Sequence, residues 1–187
     1  MMRLSGIVKD KQRLWQILKS EAFFREKIIL SSGKESDYYF DARRVTLSAE
    51  GAYLSAKIIL EMIKNEDIVA IGGPTLGADP LVGAIALLSY QRKKPLQTFI
   101  VRKAPKPHGK QQQLEGPPVP EDAEVILIDD VATTGKAFLE AMDVLSRYRI
   151  RVRKAICLID REEGAKQALA QRGCHLASIF RASDFLE

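Results

Sequence analysis

Four short apolar runs do most to limit what this chain can fold into. They are Ile68-Val-Ala-Ile71, Thr98-Phe-Ile-Val101, Val125-Ile-Leu-Ile128 and Ala155-Ile-Cys-Leu-Ile159. Each is short, rich in β-branched residues and apolar without alternation, the pattern of a strand covered on both faces. Helical spacing fills most of the intervals, over about Ala78–Gln91, Lys136–Arg149 and Glu163–Arg172, with Gly173 as a residue just past a helix end. A last strand is predicted over about Leu176–Phe180. Strands and helices in alternation predict an α/β fold with a doubly wound, mostly parallel sheet flanked by helices. Right-handed crossovers wrap such a sheet. The 187 residues suit a single domain.

Upstream, Leu14, Trp15, Ile17 and Leu18 place an apolar stripe on a helix over Lys11–Glu21. A hairpin-like section follows, with β-rich runs Lys27-Ile-Ile-Leu30 and Tyr38-Tyr-Phe-Asp41 around a polar turn. Helical spacing returns from Ser48, a suitable N-cap, to about Asn65. Hydrophobic residues make up 46% and charged residues 28%, which excludes a disordered chain. The net charge of +5 suits an anionic ligand but is too small to argue for nucleic acid. No run approaches a membrane span, and Met1–Lys11 has no apolar signal segment, so a cytoplasmic location is expected. Cys157 and Cys174 each sit in an apolar run and read as buried thiols.

Residues 102 to 122 break the rhythm. They hold Pro105, Pro107, Pro117, Pro118 and Pro120, which exclude a helix or a central strand. A connection of about 20 irregular residues is usually a lid or a binding loop. Its first part, Arg102-Lys103-Ala-Pro-Lys106-Pro-His108-Gly-Lys110, is denser in cations than a solvated linker needs.

The segment Glu124-Val-Ile-Leu-Ile-Asp129-Asp130-Val131-Ala132-Thr133-Thr134-Gly135-Lys136-Ala137 carries the chemistry. A buried strand ends in two carboxylates, a turn of small and hydroxyl residues follows, and a helix begins. Ligands of open α/β sheets bind beyond the carboxyl ends of the strands. The turn offers backbone N–H groups and the positive end of the helix dipole to a phosphate. The carboxylates would repel a phosphate, but they accept from sugar hydroxyls or hold a divalent cation. A phosphorylated sugar satisfies both halves. A single capping Asp would explain an ordinary turn, whereas two desolvated acids need partners. The spacing is not that of a P-loop.

Val125–Ala137 resembles the 5-phosphoribosyl 1-diphosphate (PRPP) motif of type I phosphoribosyltransferases. Three further elements resemble the orotate phosphoribosyltransferase family. Arg102-Lys103-Ala-Pro-Lys106-Pro-His108-Gly109 is similar to its catalytic loop. Ser32-Gly33-Lys34-x-Ser36-x-Tyr38-Tyr39-Phe40-Asp41 is similar to its orotate-side segment, and Ile159-Asp160-Arg161-Glu162-Glu163-Gly164 to its Leu-Asp-Arg-x-Glu-x-Gly element. The four stand in the family's order between about residues 30 and 165.

The resemblance implies transfer of the phosphoribosyl group from PRPP to orotate, giving orotidine 5′-monophosphate in pyrimidine biosynthesis. It implies an N-terminal helix and orotate-side hood over residues 1–45 and a mobile catalytic loop over 102–122. Thr133, Thr134, Gly135, Lys136 and Ala137 would hold the 5′-phosphate, with Val131 and Ala132 in the same motif. Asp129 and Asp130 would engage the ribose, and Mg²⁺, held mainly by PRPP, would meet one of them through water. Arg102, Lys103, Lys106 and His108 would meet the pyrophosphate, in a homodimer whose loop cations reach the neighbouring subunit's site. Thr133, Arg161, Tyr39, Phe40 and Lys34 would face orotate. No nucleic acid or membrane partner is implied.

The chain departs from the family at three places. Ser31 stands where many members have a substrate-contacting Lys. Leu76-Gly77 stands where some have Tyr-Lys, in a stretch (residues 73–80) that aligns with the pyrophosphate loop. Ala137 replaces a common Ser or Thr. Plainer readings stand beside these roles: sheet packing for Tyr38, Tyr39 and Phe40, an ion pair with Glu162 or Glu163 for Arg161, a solvent-exposed loop position for His108, and a structural one for His175. The rival functions are transfer to a purine base, and a non-catalytic PRPP-sensing regulator of the same fold.

Overall fold

The computed structural model describes residues 2–29, 35–104 and 112–186. Helix α1 spans Met2–Glu21, so it begins well before Lys11. The polar residues Lys9, Asp10 and Lys11 hid its first turns, although Ile7 continues the stripe of buried Leu14 and Leu18. Strands β1 (Phe23–Phe24), β2 (Ile28–Ile29), β3 (Glu35–Ser36) and β4 (Tyr39–Phe40) follow. β1 pairs with β4 and β2 with β3, both antiparallel. The two runs read as a hairpin therefore do not pair with each other. Phe23–Phe24, just past α1, takes the aromatic run instead, because that pairing stacks Phe23 on Phe40 with ring centroids 5.1 Å apart.

Next come the short helix α2 (Arg43–Thr46) and α3 (Ala49–Met62). Ser48 caps α3 as expected, its Oγ accepting from the Gly51 N–H at 3.1 Å. The chain then runs β5 (Ala70–Pro74), α4 (Asp79–Gln91), β6 (Gln97–Val101), β7 (Leu114–Glu115), β8 (Glu124–Ala132), α5 (Lys136–Arg147), β9 (Arg151–Asp160), α6 (Ala165–Ala170), β10 (His175–Arg181) and α7 (Ser183–Leu186). Among the described residues the main sheet has the order β10-β9-β8-β5-β6-β7. β7 alone is antiparallel, an edge strand within the proline-rich connection. The chain steps from β5 outward to β6 and β7, then returns to place β8 on the other side of β5. Strand order reverses between β5 and β8, and such a switch point opens a crevice at the carboxyl ends.

The pleat explains why β8 is apolar without alternation. Ile126 and Ile128 pack on one face with Leu14, Ile58, Leu81 and Ile85 of α1, α3 and α4. Val125 and Leu127 pack on the other with Phe138, Leu145 and Leu169 of α5 and α6. β8 also extends beyond Ile128 through the two acids to Ala132, because β9 keeps pairing with it as far as Ala132 opposite Asp160. β5 runs on past Ile71 through Gly72-Gly73-Pro74, which form the carboxyl end of a central strand. Cys157 and Cys174 are buried and not in a disulfide. His175 is exposed at the start of β10. Among the described residues no helix is long and apolar enough to cross a membrane.

Helix α7 has no counterpart in the sequence reading, yet it joins the hood to the sheet. Phe185 is fully buried against Phe23, Phe40, Phe180 and Trp15. The Trp15 indole N–H donates to the Asp184 carbonyl at 3.1 Å. Phe185→Ala should lower the unfolding free energy by roughly 3–5 kcal/mol, read by chemical denaturation, because the cavity lies where three elements meet and none can collapse into it alone.

Candidate active site

β8 delivers its two acids to the crevice beside the end of β5. Asp129 is only 7% exposed and Asp130 is partly buried. Each takes one backbone hydrogen bond, from Asp130 N–H to Asp129 Oδ1 at 2.9 Å and from Val131 N–H to Asp130 Oδ1 at 2.7 Å. Burial pushes the Asp129 carboxyl well above the usual range, and the neighbouring Asp130 pushes it further, with Lys103 opposing. Burial also raises Asp130, against the Val131 N–H and the charge of Arg43. The pair is thus short of hydrogen-bond donors and of positive charge.

The loop after β5 closes over this pair at Gly77. A Cβ there would fall 2.3 Å from Asp129 Oδ1 and 2.4 Å from Asp130 Oδ1, so any larger residue would displace the carboxylates from these positions. The neighbouring Thr75–Leu76 peptide is cis, and the Thr75 N–H donates to the Val101 carbonyl at 3.0 Å. On the other side, Gly135 turns the chain from β8 into α5. Its φ of +83° suits glycine, and a Cβ would lie 3.2 Å from Ala165 Cα. No side chain caps α5, so its first N–H groups and its positive dipole end are presented by the turn at residues 133–135.

Asp129, Asp130, Val131, Thr133, Ala137, Lys103, Tyr39, Phe40 and Arg161 line one cleft of about 570 Å³. Arg43, Asp41, Ile28, Leu76 and Gly77 complete much of its wall. Arg43 was missed: it lies on the unanticipated helix α2, and no sequence spacing links it to Asp130. Arg161 is buried, pairs with Glu163 at 2.7 Å and lies over the Tyr38 ring at 4.6 Å. Glu162 turns elsewhere and accepts from the Ser183 N–H. Phe40 both packs in the aromatic cluster and lines the cleft, so the two readings of it coexist.

Other expected site residues adjoin the cleft at the turn into α5 or lie beyond its lining. Ala132 is buried, Gly135 lies against Ala165, Thr134 is exposed, and the exposed Lys136 is 3.7 Å from Glu140. The Arg102 guanidinium does not line this cleft but bonds Glu115 Oε1 and the Ala104 carbonyl, each at 3.3 Å. Lys34, Lys106 and His108 lie outside the described residues. A larger cleft of about 730 Å³ opens at the other end of the sheet, near Ile68 and Leu96. Its Asp10 and Lys57 already pair at 2.7 Å, and it lies away from the carboxyl ends where such folds bind ligands.

Comparison with known proteins bears on this cleft. The phosphoribosyl transferase domain family matches residues 46–173. The orotate phosphoribosyltransferase of Rhodopseudomonas palustris (strain BisB5) is 37% identical over 180 residues, 95% of this chain and 96% of its own. The crystal structure of Mycobacterium tuberculosis H37Rv orotate phosphoribosyltransferase with Fe(III) dicitrate aligns with a TM-score of 0.82 at 31% identity, covering 95% of this chain and 99% of that one. The same protein in complex with PRPP aligns with a TM-score of 0.78 at 29% identity, covering 94% and 98%.

The raised carboxyls have a consequence for stability. Folded Asp129 holds its proton more tightly than unfolded Asp, so its charge weakens the ligand-free fold at neutral pH, and the strain is relieved as pH falls through the raised value toward about 3.9. Asp129→Asn should therefore stabilise the ligand-free protein at pH 7 by roughly 0.5–2 kcal/mol. That gain should shrink in acid, as read by denaturation at a series of pH values.

Proposed function

Because the chain belongs to the orotate phosphoribosyltransferases, within the wider phosphoribosyltransferase family, we propose that the cleft at the β5–β8 switch point is where PRPP and orotate meet. The enzyme transfers the 5-phosphoribosyl group of PRPP to orotate, giving orotidine 5′-monophosphate and pyrophosphate. The observation that carries the site assignment is the buried pair Asp129–Asp130 followed at once by the uncapped start of α5. The acids accept from the ribose hydroxyls. The N–H groups of residues 133–137 and the Thr133 and Thr134 hydroxyls hold the 5′-phosphate. Arg161, Thr133, Tyr39, Phe40 and Lys34 face orotate.

Breaking the C1′–O bond builds positive charge on the ribose and negative charge on the departing pyrophosphate. Lys103 lines the cleft beside the acids and, with Arg102, Lys106 and His108, stabilises that leaving group. Lys106 or His108 gives it a proton. Asp129 and Asp130 hold the sugar still while the bond opens. The raised carboxyls also fit a divalent cation. Among the described residues no cluster of three or more His, Cys, Asp or Glu forms a metal cage. As the family resemblance implies, Asp129 or Asp130 would meet Mg²⁺ through water, with PRPP supplying most of its shell. When bound, the ion neutralises phosphate charge.

Two features support a homodimer whose loop cations serve the neighbouring site. Arg102 turns to Glu115 instead of the cleft of its own chain, whereas Lys103 lines that cleft, so the reach to the neighbouring site is proposed for Arg102, Lys106 and His108. Leu76, Leu87 and Tyr90 are 64%, 62% and 74% exposed on the β5–α4 loop and α4. Leu76 borders the cleft, Leu87 and Tyr90 lie three residues apart near the end of α4, and exposed apolar side chains of this kind suit a second copy.

The decisive assay follows orotate absorbance with and without PRPP and Mg²⁺, with hypoxanthine and adenine as controls. Orotate should be consumed only when all components are present, and turnover of a purine base alone would select the rival reading. Lys106→Ala should lower kcat by about 100-fold or more while PRPP affinity changes little. The double variant Leu87→Glu/Tyr90→Glu should sediment as a folded monomer with most activity lost.

A further inference from the structure

Arg161 is held more firmly than a residue that merely lines a pocket. Its backbone N–H donates to the Ala132 carbonyl at 2.8 Å, which ties it to the end of β8. Its Nε–H donates to Glu163 Oε1 at 2.7 Å and its Nη2–H to Ser36 Oγ at 3.1 Å. The guanidinium plane lies over the Tyr38 ring at 4.6 Å. The side chain is only 3% exposed.

Ser36 is fully committed in this arrangement. A hydroxyl has one proton and two lone pairs. The Ser36 proton goes to the Tyr38 carbonyl at 2.8 Å, and the oxygen accepts from Arg161 and, at 3.4 Å, from the Tyr38 N–H. The hydroxyl therefore faces Arg161 as an acceptor. This contact joins residues 125 positions apart and links the hood to the end of β9.

Arg161 has five N–H groups; Nε–H and one of Nη2 are bonded to Glu163 and Ser36, which leaves three on Nη1 and Nη2 to share between the Tyr38 hydroxyl and a ligand in the cleft that it lines. With Glu163 balancing its charge, Arg161 offers direction more than net charge. That suits a planar carboxylate, which can accept two parallel hydrogen bonds, better than a compact anion. We propose that Ser36, Tyr38 and Glu163 form a clamp that pre-sets Arg161 for the base, which makes Ser36 and Glu163 positioning residues for orotate. The clamp rests on the assignment of Arg161 to the orotate side given above. It lowers the cost of binding because the long side chain is ordered during folding rather than when the ligand arrives.

The test is steady-state kinetics on the full chain. Ser36→Ala should raise the orotate KM roughly tenfold, as expected for a lost hydrogen bond to a charged group, with kcat and the PRPP KM within about twofold of wild type. Ser36→Thr restores the hydroxyl and should bring the KM back. In an Arg161→Lys background Ser36→Ala should add less than about twofold, since coupled residues are non-additive. Should Ser36→Ala fail to fold, Glu163→Gln reads the same effect with the side-chain volume kept. An unchanged orotate KM, or a fall in kcat alone, overturns the clamp. A second readout needs no substrate. The Arg161 Nε–H should give a resolved, exchange-protected NMR signal that Ser36→Ala broadens, and an unaltered signal also overturns the clamp. Absence of orotate turnover in the wild type would defeat the functional assignment while leaving this NMR result to judge the clamp.

Discussion

Two carboxylates on consecutive residues repel each other, and burial makes that repulsion expensive. Most of this structure can be understood as holding Asp129 and Asp130 in that position. β9 pairs with β8 past the acids, Gly77 leaves room for both carboxylates, and two backbone N–H groups supply the few donors the pair receives. The fold tolerates the raised carboxyls because a sheet buried on both faces supplies stability elsewhere. A ligand that brought hydrogen-bond donors or positive charge would relieve what is unfavourable in the ligand-free chain.

The hood solves a different problem. The described residues between 23 and 40 form only two-residue strands, too short to stand alone. They are held by aromatic packing on Phe185 and by the Ser36–Arg161 hydrogen bond. Both anchors come from the far end of the chain. The Tyr39–Arg161 side of the cleft is therefore built from segments more than 100 positions apart, while the wall around the acids comes largely from residues 129–137.

That difference decides what could be read in advance. The acids, the turn and the start of α5 are consecutive, so β8 with two carboxylates at its end and a helix start just beyond was legible from local pattern alone. The sheet was legible for the same reason: each strand carries its own unbroken apolar run. Boundaries were less so. β5 continued through Gly72-Gly73-Pro74 because neighbouring strands pair there, and α1 started early because its first turns are polar. The hairpin failed because Phe23–Phe24 takes the partner that Lys27–Leu30 was expected to have, a choice made by aromatic packing with no trace in spacing.

The sequence by itself determined the alternating α/β architecture, the acidic strand end with its phosphate turn, and the likeness to one family. Periodicity and short-range chemistry are enough for those. Only the tertiary structure decided that β5 and β8 are neighbours with a switch point between them, that Gly77 shares space with both acids, that Arg43 faces Asp130, and that Ser36 and Glu163 fix Arg161. Most of these are contacts across long stretches of chain. Strand order and side-chain packing set them, and neither leaves a periodic signal in the residues concerned.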